Sequence, residues 1–194
     1  MTDTPSRPTL ADPGPLGLAA FAMTTFVLSV FNSGLVDKSA TAVVFGLAIF
    51  YGGLGQLIAG AFEFVRNNTF GAVAFVSYGG FWLAFWYLNT KTDLSGAGTH
   101  ASAGVAVFLL AWAIFTAYML VCVIHVNWAL TSVFALLFIT FLLLFISEAS
   151  GSVGIGHVAG FFGLATAVAA WYTSLAGVFN TTSKKAKLPI GVRA

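Results

Sequence analysis

The sequence predicts an all-α membrane protein with six transmembrane helices and both termini on the cytoplasmic side. Three observations predict it. Of the 194 residues, 59% are hydrophobic and only 7% charged, where soluble domains carry about a quarter, and the mean hydropathy is +0.95. The charges collect in the gaps between six apolar runs. Each run approaches the roughly 20 residues that a helix needs to cross the hydrocarbon core, whereas barrel strands are about half as long and alternate apolar with polar residues.

The first run covers 16–35. Residues 1–15 form a short polar, proline-containing segment with Asp3, Arg7 and Asp12, and the run after it exceeds a signal-peptide core in length, so it reads as a retained helix. Helical spacing puts Phe21, Thr25, Ser29 and Asn32 on one face with Thr24 beside them. The second run, 42–62, carries Gly52, Gln56, Gly60 and, just past its end, Glu63 in similar alignment. Two aligned polar stripes at membrane depth are candidate walls of a path, or hydrogen-bonding glue between helices, because a polar group in lipid needs a partner or a wet cavity. Glu63 and Arg66 stand at i and i+3, which predicts an interfacial ion pair or a charged mouth. Asn67, Asn68 and Thr69 then supply a turn and an N-cap for the third run, 70–88.

Residues 89–102 are the longest connection, and the fourth run follows at 103–124. Cys122 within it is the sole cysteine, so neither a disulfide framework nor a thiolate metal site is expected. The fifth run is 129–146. The sixth, 153–179, begins in the glycine-rich stretch 151–156 and carries His157, more often a packing residue than a proton relay, although both readings stand. Loosened by its glycines, that helix start could offer backbone N–H groups to an anion. His100 and His125 fall in connections.

The 21 glycines have a physical reading. Lipid is as apolar as leucine, so helices associate by close packing and hydrogen bonds. Gly55 with Ala59, Gly156 with Gly160, and Gly163 with Ala167 form small-residue pairs suited to that.

With the N-terminus inside, Arg7, Arg66, Lys184, Lys185, Lys187 and Arg193 are cytoplasmic, and only Lys38 and Lys91 are outside, as the positive-inside rule prefers. The domain plan is a segment 1–15, a transmembrane domain 16–179 and a basic tail 180–194 that sets topology and could touch anionic lipid. The lipid bilayer is the expected surrounding partner, and nucleic acid is not expected. No Lys, Arg, Asp or Glu falls near the middle of any run. A buried retinal lysine and a central carboxylate relay are therefore excluded. No metal cluster, nucleotide loop or nucleophile–base pair is legible, and neither an enzyme nor a cofactor is expected.

Several stretches, in order, resemble the acetate uptake transporter family, which includes a bacterial acetate/succinate transporter and yeast ammonia/acetate exporters. They are Asp12-Pro13-Gly14-Pro15-Leu16-Gly17-Leu18, Phe21-Ala22-Met23-Thr24-Thr25, Ile49-Phe50-Tyr51-Gly52-Gly53 with Gln56, Gly60 and Glu63, Asn68-Thr69-Phe70-Gly71, Ser77-Tyr78-Gly79-Gly80-Phe81-Trp82, His157 with Ala159-Gly160, and Leu188-Pro189-Ile190-Gly191. Asp12 stands where the resembled signature has Asn, and Gly14 where it has Ala.

The resemblance implies a multi-pass plasma-membrane channel or transporter for acetate and related short carboxylates, assembled as a homo-hexamer with a pore in each protomer. It implies a constriction of Phe21, Tyr78 and Leu137. Thr24, Gln56 and Asn32 would offer hydrogen bonds, and Ala170 would set pore width with Leu137. Coupling to protons could arise if the acid crosses protonated or if anion and proton move together, and a relay in the protein would have to use His157 or Glu63. A pore for ammonium or another small solute remains a competing reading, and a non-transporting scaffold or sensor a more distant one.

Overall fold

The computed structural model describes residues 10–183 and 187–192. Six helices are long and apolar enough to cross a membrane: α1 (Gly14–Asn32), α2 (Val43–Val65), α3 (Thr69–Thr90), α4 (Ala101–Val123), α5 (Trp128–Ser150) and α6 (Val153–Thr182). Among the described residues the sole β-pairing is an isolated antiparallel bridge between Asn127 and Val192. Arg7, Lys184, Lys185 and Arg193, four of the six cations counted as cytoplasmic, lie outside the described residues.

Helix ends follow local chemistry. Pro15 sits in the first turn of α1, where its missing N–H costs nothing, and the helix stops three residues short of the predicted 35 as the chain turns through Gly34 at φ +76°. Asn68 Oδ1 accepts from Gly71 N at 3.2 Å to cap α3, and Asn127 Oδ1 accepts from Leu130 N at 2.8 Å to cap α5. Ser152 Oγ accepts from Ile155 N at 3.5 Å. The glycine-rich stretch before His157 therefore opens a capped, regular helix and not a loosened one.

Around the bundle the order of packed neighbours is α4, α5, α6, α1, α2, α3, and α3 meets α4 only thinly. The pairing of α1 with α6 is the most extensive. Gly160 makes it possible: a Cβ there would lie 2.1 Å from the Ser33 backbone nitrogen, so the two backbones touch where any side chain would hold them apart. Ser174 Oγ adds a 2.6 Å hydrogen bond to the carbonyl of Pro15.

The middle of α2 departs from the expected regular helix. Residues Phe50–Gly55 form a π-helical segment, a wide turn that inserts a residue into the ladder and often marks functional sites. Its glycines admit the neighbours that hold it: Thr24 Oγ1 and Trp82 Cδ1 lie 2.7 and 2.9 Å from where a Cβ on Gly52 would be.

The described part of the tail, 187–192, folds back on the bundle. Trp128 N and Ala129 N donate to the carbonyls of Gly191 and Ile190 at 3.0 and 3.1 Å, which satisfies N–H groups that a helix start leaves orphaned. Asn180 holds Leu188 through both its N–H (2.7 Å) and its carbonyl (3.0 Å).

The predicted Glu63–Arg66 ion pair is not formed. Arg66 Nη1 instead reaches Asp12 Oδ1 at 2.5 Å, and Glu63 Oε2 accepts from Asn68 Nδ2 at 2.9 Å. Arg66 is the C-cap of the helix, and its side chain turns to Asp12 in the segment before α1 instead of back to Glu63. The Arg66–Asp12 pair is half exposed, at 34% and 49%. Asp12→Asn is therefore expected to cost less than about 1 kcal/mol, read as a shift of at most a few degrees in the melting of detergent-solubilised protein. A collapse of the fold would contradict that.

Candidate solute pathway

A cavity of about 370 Å³ opens at the end of the bundle that carries the N-terminal segment and the tail. Its mouth is polar, with Asp12, Glu63, Asn68, Asn180 and Thr181 contributed by the segment before α1, the α2–α3 turn and the end of α6. Deeper in, the wall becomes apolar and reaches Phe21, Tyr78, Phe134 and Leu137. Phe21 lies two turns past Gly14, about 10 Å along the helix.

The rings at this depth brace each other. Phe21 and Tyr78 have centroids 5.7 Å apart, and Tyr78 lies 6.0 Å from Phe134 and 5.3 Å, edge-on, from Phe115. The Tyr78 hydroxyl is 3.0 Å from Thr116 Oγ1. Since Thr116 gives its own proton to the carbonyl of Trp112 at 2.8 Å, Tyr78 is the donor of that bond. Such edge and tilted contacts follow the ring quadrupoles and fix the Tyr78 ring in the cavity wall.

Beyond this plug the interior is packed. Phe81 meets Phe141 edge-on at 5.2 Å, and Trp82 is 2% exposed. Among the described residues, three buried side-chain atoms have no hydrogen-bond partner: Thr25 Oγ1, Gln56 Oε1 and Trp82 Nε1. Orphaned polar atoms are costly in a dry interior, and Gln56, itself on the cavity wall, is 0% exposed. Its Nε2 donates to the carbonyl of Gly52 at 2.7 Å, and Thr24 Oγ1 donates to that of Ala20 at 2.9 Å. Gly52 thus gathers Thr24, Trp82 and Gln56 at one level of the bundle.

Of the residues singled out from the sequence, Phe21, Tyr78, Leu137, Gln56 and Glu63 line the cavity. Thr24, Thr25 and Ala170 are buried on the far side of the plug. Asn32 ends α1 at the opposite end of the bundle, and Arg66 serves the mouth through Asp12. His157 is half-buried against the turn at Gly34, where a Cβ would meet its Nε2 at 2.8 Å, so it stands well away from the cavity. At that same end Asp37 and Asp93 are held below the usual carboxylate range by hydrogen bonds from Ser39 and Ser95.

Thr116 and Phe134 were not singled out from the sequence, and Trp82 only as the end of a family stretch with no role assigned to it. Thr116 had a legible signal, a hydroxyl in the middle of an apolar run, while the Trp82 orphan depends on the π-turn opposite it.

Residues 2–191 match the model of the GPR1/FUN34/yaaH family. The chain belongs to that family. It is 36% identical over 182 residues to the succinate-acetate/proton symporter SatP of Escherichia coli K12, covering 94% of this chain and 96% of that one. It is 40% identical over 204 residues to acetate permease A of Emericella nidulans, and 42% identical over 180 residues to ammonia transport outward protein 2 of Saccharomyces cerevisiae. The matches cover 93% and 87% of this chain but only 65% and 61% of these longer fungal relatives. Among solved structures it is similar to the bacterial acetate channel SatP, with a TM-score of 0.86 and 35% identity over 94% of this chain and all of that one. The six apolar helices and these family relatives make it a multi-pass protein of the plasma membrane.

Proposed function

We propose that the chain forms a transmembrane path for acetate and related short carboxylates, closed in this conformation by Phe21, Tyr78 and Leu137. The observation that carries the reading is the cavity itself: it runs from a polar mouth to an aromatic plug, and the interior around Gly52, at and beyond the plug, keeps an orphaned donor, Trp82 Nε1, and an orphaned acceptor, Gln56 Oε1. A carboxylic acid presents the complementary pair, a carbonyl oxygen and an O–H. An apolar constriction gates by dewetting and passes small, weakly hydrated solutes best, which favours the protonated acid over its anion and links flux to pH without a central relay. Thr24 and Thr25 border the route past the plug, Ala170 and Leu137 set its width, and Asn32 stands near its far end. The same reading puts both termini in the cytoplasm and assembles six protomers, each with its own path.

Glu63 and the free Gln56 oxygen are acceptors on the wall, an arrangement that also suits ammonium, and the test separates the two solutes. Purified protein in liposomes is expected to take up labelled acetate saturably. Gln56→Leu is expected to assemble normally, because it removes an unsatisfied buried acceptor, and to lower acetate flux by roughly 5- to 150-fold, the range of about 1–3 kcal/mol for one such polar contact. Loss of assembly in Gln56→Leu would make the amide structural glue. No acetate flux above empty liposomes from folded protein removes the carboxylate reading, and methylammonium flux in its place supports the ammonium path.

A further inference from the structure

Glu63 is the one carboxylate buried in the wall of the cavity, at 2% exposure. The cation that helical spacing would bring to it, Arg66, is bound to Asp12 instead. Its side-chain hydrogen bond among the described residues is a single neutral one, from Asn68 Nδ2 to Oε2. Oε1 faces two glycines: a Cβ on Gly71 would stand 2.9 Å from it and one on Gly14 3.5 Å. Any larger residue at either place would cover this oxygen, and the glycines leave it reachable from the cavity.

The charged groups around it are few. Asp12 faces it from the segment before α1, and Arg66 from the turn after its own helix. α3 offers Asn68 and Gly71, while α6 and the tail offer the uncharged Asn180, Thr181 and Ile190. Lys187 Nζ is taken by the carbonyl of Asn180. Removed from water and without its own cation, a carboxyl in such a place exchanges its proton with whatever acid or base enters. His157, the other candidate, is at the far end of the bundle.

We propose that Glu63 is the proton donor of the mouth, converting an entering carboxylate anion to the neutral acid before it meets the apolar plug. In that step the O–H bond of the Glu63 carboxyl breaks and an O–H bond forms on the substrate, leaving acetic acid and the Glu63 carboxylate, which takes its next proton from water at the mouth. This rests on the carboxylate path proposed above. It makes Glu63 a group acting on substrate protonation and not part of the pore's selectivity filter.

The test is acetate influx from the mouth side of oriented liposomes as a function of pH, for wild type, Glu63→Gln and Glu63→Asp. In Glu63→Gln the flux is expected to track the fraction of acid already neutral in solution, falling about tenfold per pH unit above the acid's own pKa, while at low pH it equals wild type. Wild type and Glu63→Asp are expected to fall less steeply. Acetamide, which needs no proton, is expected to cross all three alike. A Glu63→Gln profile that superimposes on wild type overturns the proposal. Absence of flux in wild type instead overturns the carboxylate path. Should Glu63→Gln fail to fold, infrared spectra of the Asp12→Asn protein, which keeps Glu63, decide: a protonated-carboxyl band that loses intensity on acetate addition is expected, and an unchanged band overturns the proposal.

Discussion

Phe21→Ala is expected to raise acetate flux by roughly 5- to 30-fold, the consequence of removing about 1–2 kcal/mol of barrier, and to admit carboxylates one or two carbons longer. Of the two rings of the plug, Phe21 has the fewer ring contacts. Tyr78 is held by Thr116 and by Phe115, Trp112 and Phe134, whereas the recorded ring contact of Phe21 is with Tyr78 alone. Truncating it extends the cavity inward past Gln56 toward the level of Thr24, which removes the dewetted step. Because the ring already borders a cavity, the loss of stability should fall below the about 3–5 kcal/mol of a Phe→Ala change in a sealed core. Tyr78→Phe is the control: it loses one hydrogen bond and keeps the ring, and should leave flux within a few-fold of wild type. Labelled acetate, propionate and butyrate uptake by the same liposomes reads both effects. Unchanged flux and unchanged substrate ratios in a folded Phe21→Ala protein would show that the plug is elsewhere.

Gly160→Val is expected to abolish the fold. Overpacking usually costs about 1–3 kcal/mol because side chains yield. Here the first atoms met are backbone, Ser33 N at 2.1 Å, Ser33 Cα at 2.5 Å and Asn32 C at 2.6 Å, and they belong to the last residue and C-cap of α1, the helix most extensively packed on α6. The only relief is to push α1 off α6, which would break the Ser174–Pro15 bond and expose the buried small residues between them. Gly154, three residues before His157 on the same helix, has open space around it, so Gly154→Val should be near neutral. Size-exclusion profiles and thermal aggregation in detergent compare the two. A monodisperse Gly160→Val protein melting with wild type would mean that this contact is not what holds α1 to α6.

Two features place the limits of sequence reasoning. The Asn68 cap was legible because a cap is local: the side chain bonds a backbone N–H three residues on. The Arg66 partner was not, since Asp12 is 54 residues away in sequence and spacing favoured the nearer Glu63. The polar stripe of α2 was legible in that Gly52, Gln56, Gly60 and Glu63 are all buried, yet only Gln56 and Glu63 reach the cavity. Gly52 and Gly60 on the same face pack instead against Trp82 and Val76, and His157 and Asn32, polar like the others, fall at the end where no wall of this cavity reaches.

By itself the sequence determined the class, the six spans and the small residues through which the helices touch, because hydropathy and helical period are properties of consecutive residues and lipid enforces them on every segment. Tertiary structure alone decided which polar groups share a cavity, that Arg66 is taken from Glu63, and that Gln56 and Trp82, each with an orphaned polar atom, both meet Gly52. These depend on how helices distant in the chain rotate and slide against each other, and that arrangement is set by close packing at positions such as Gly52 and Gly160, where the absence of a single methyl group governs the approach of two backbones.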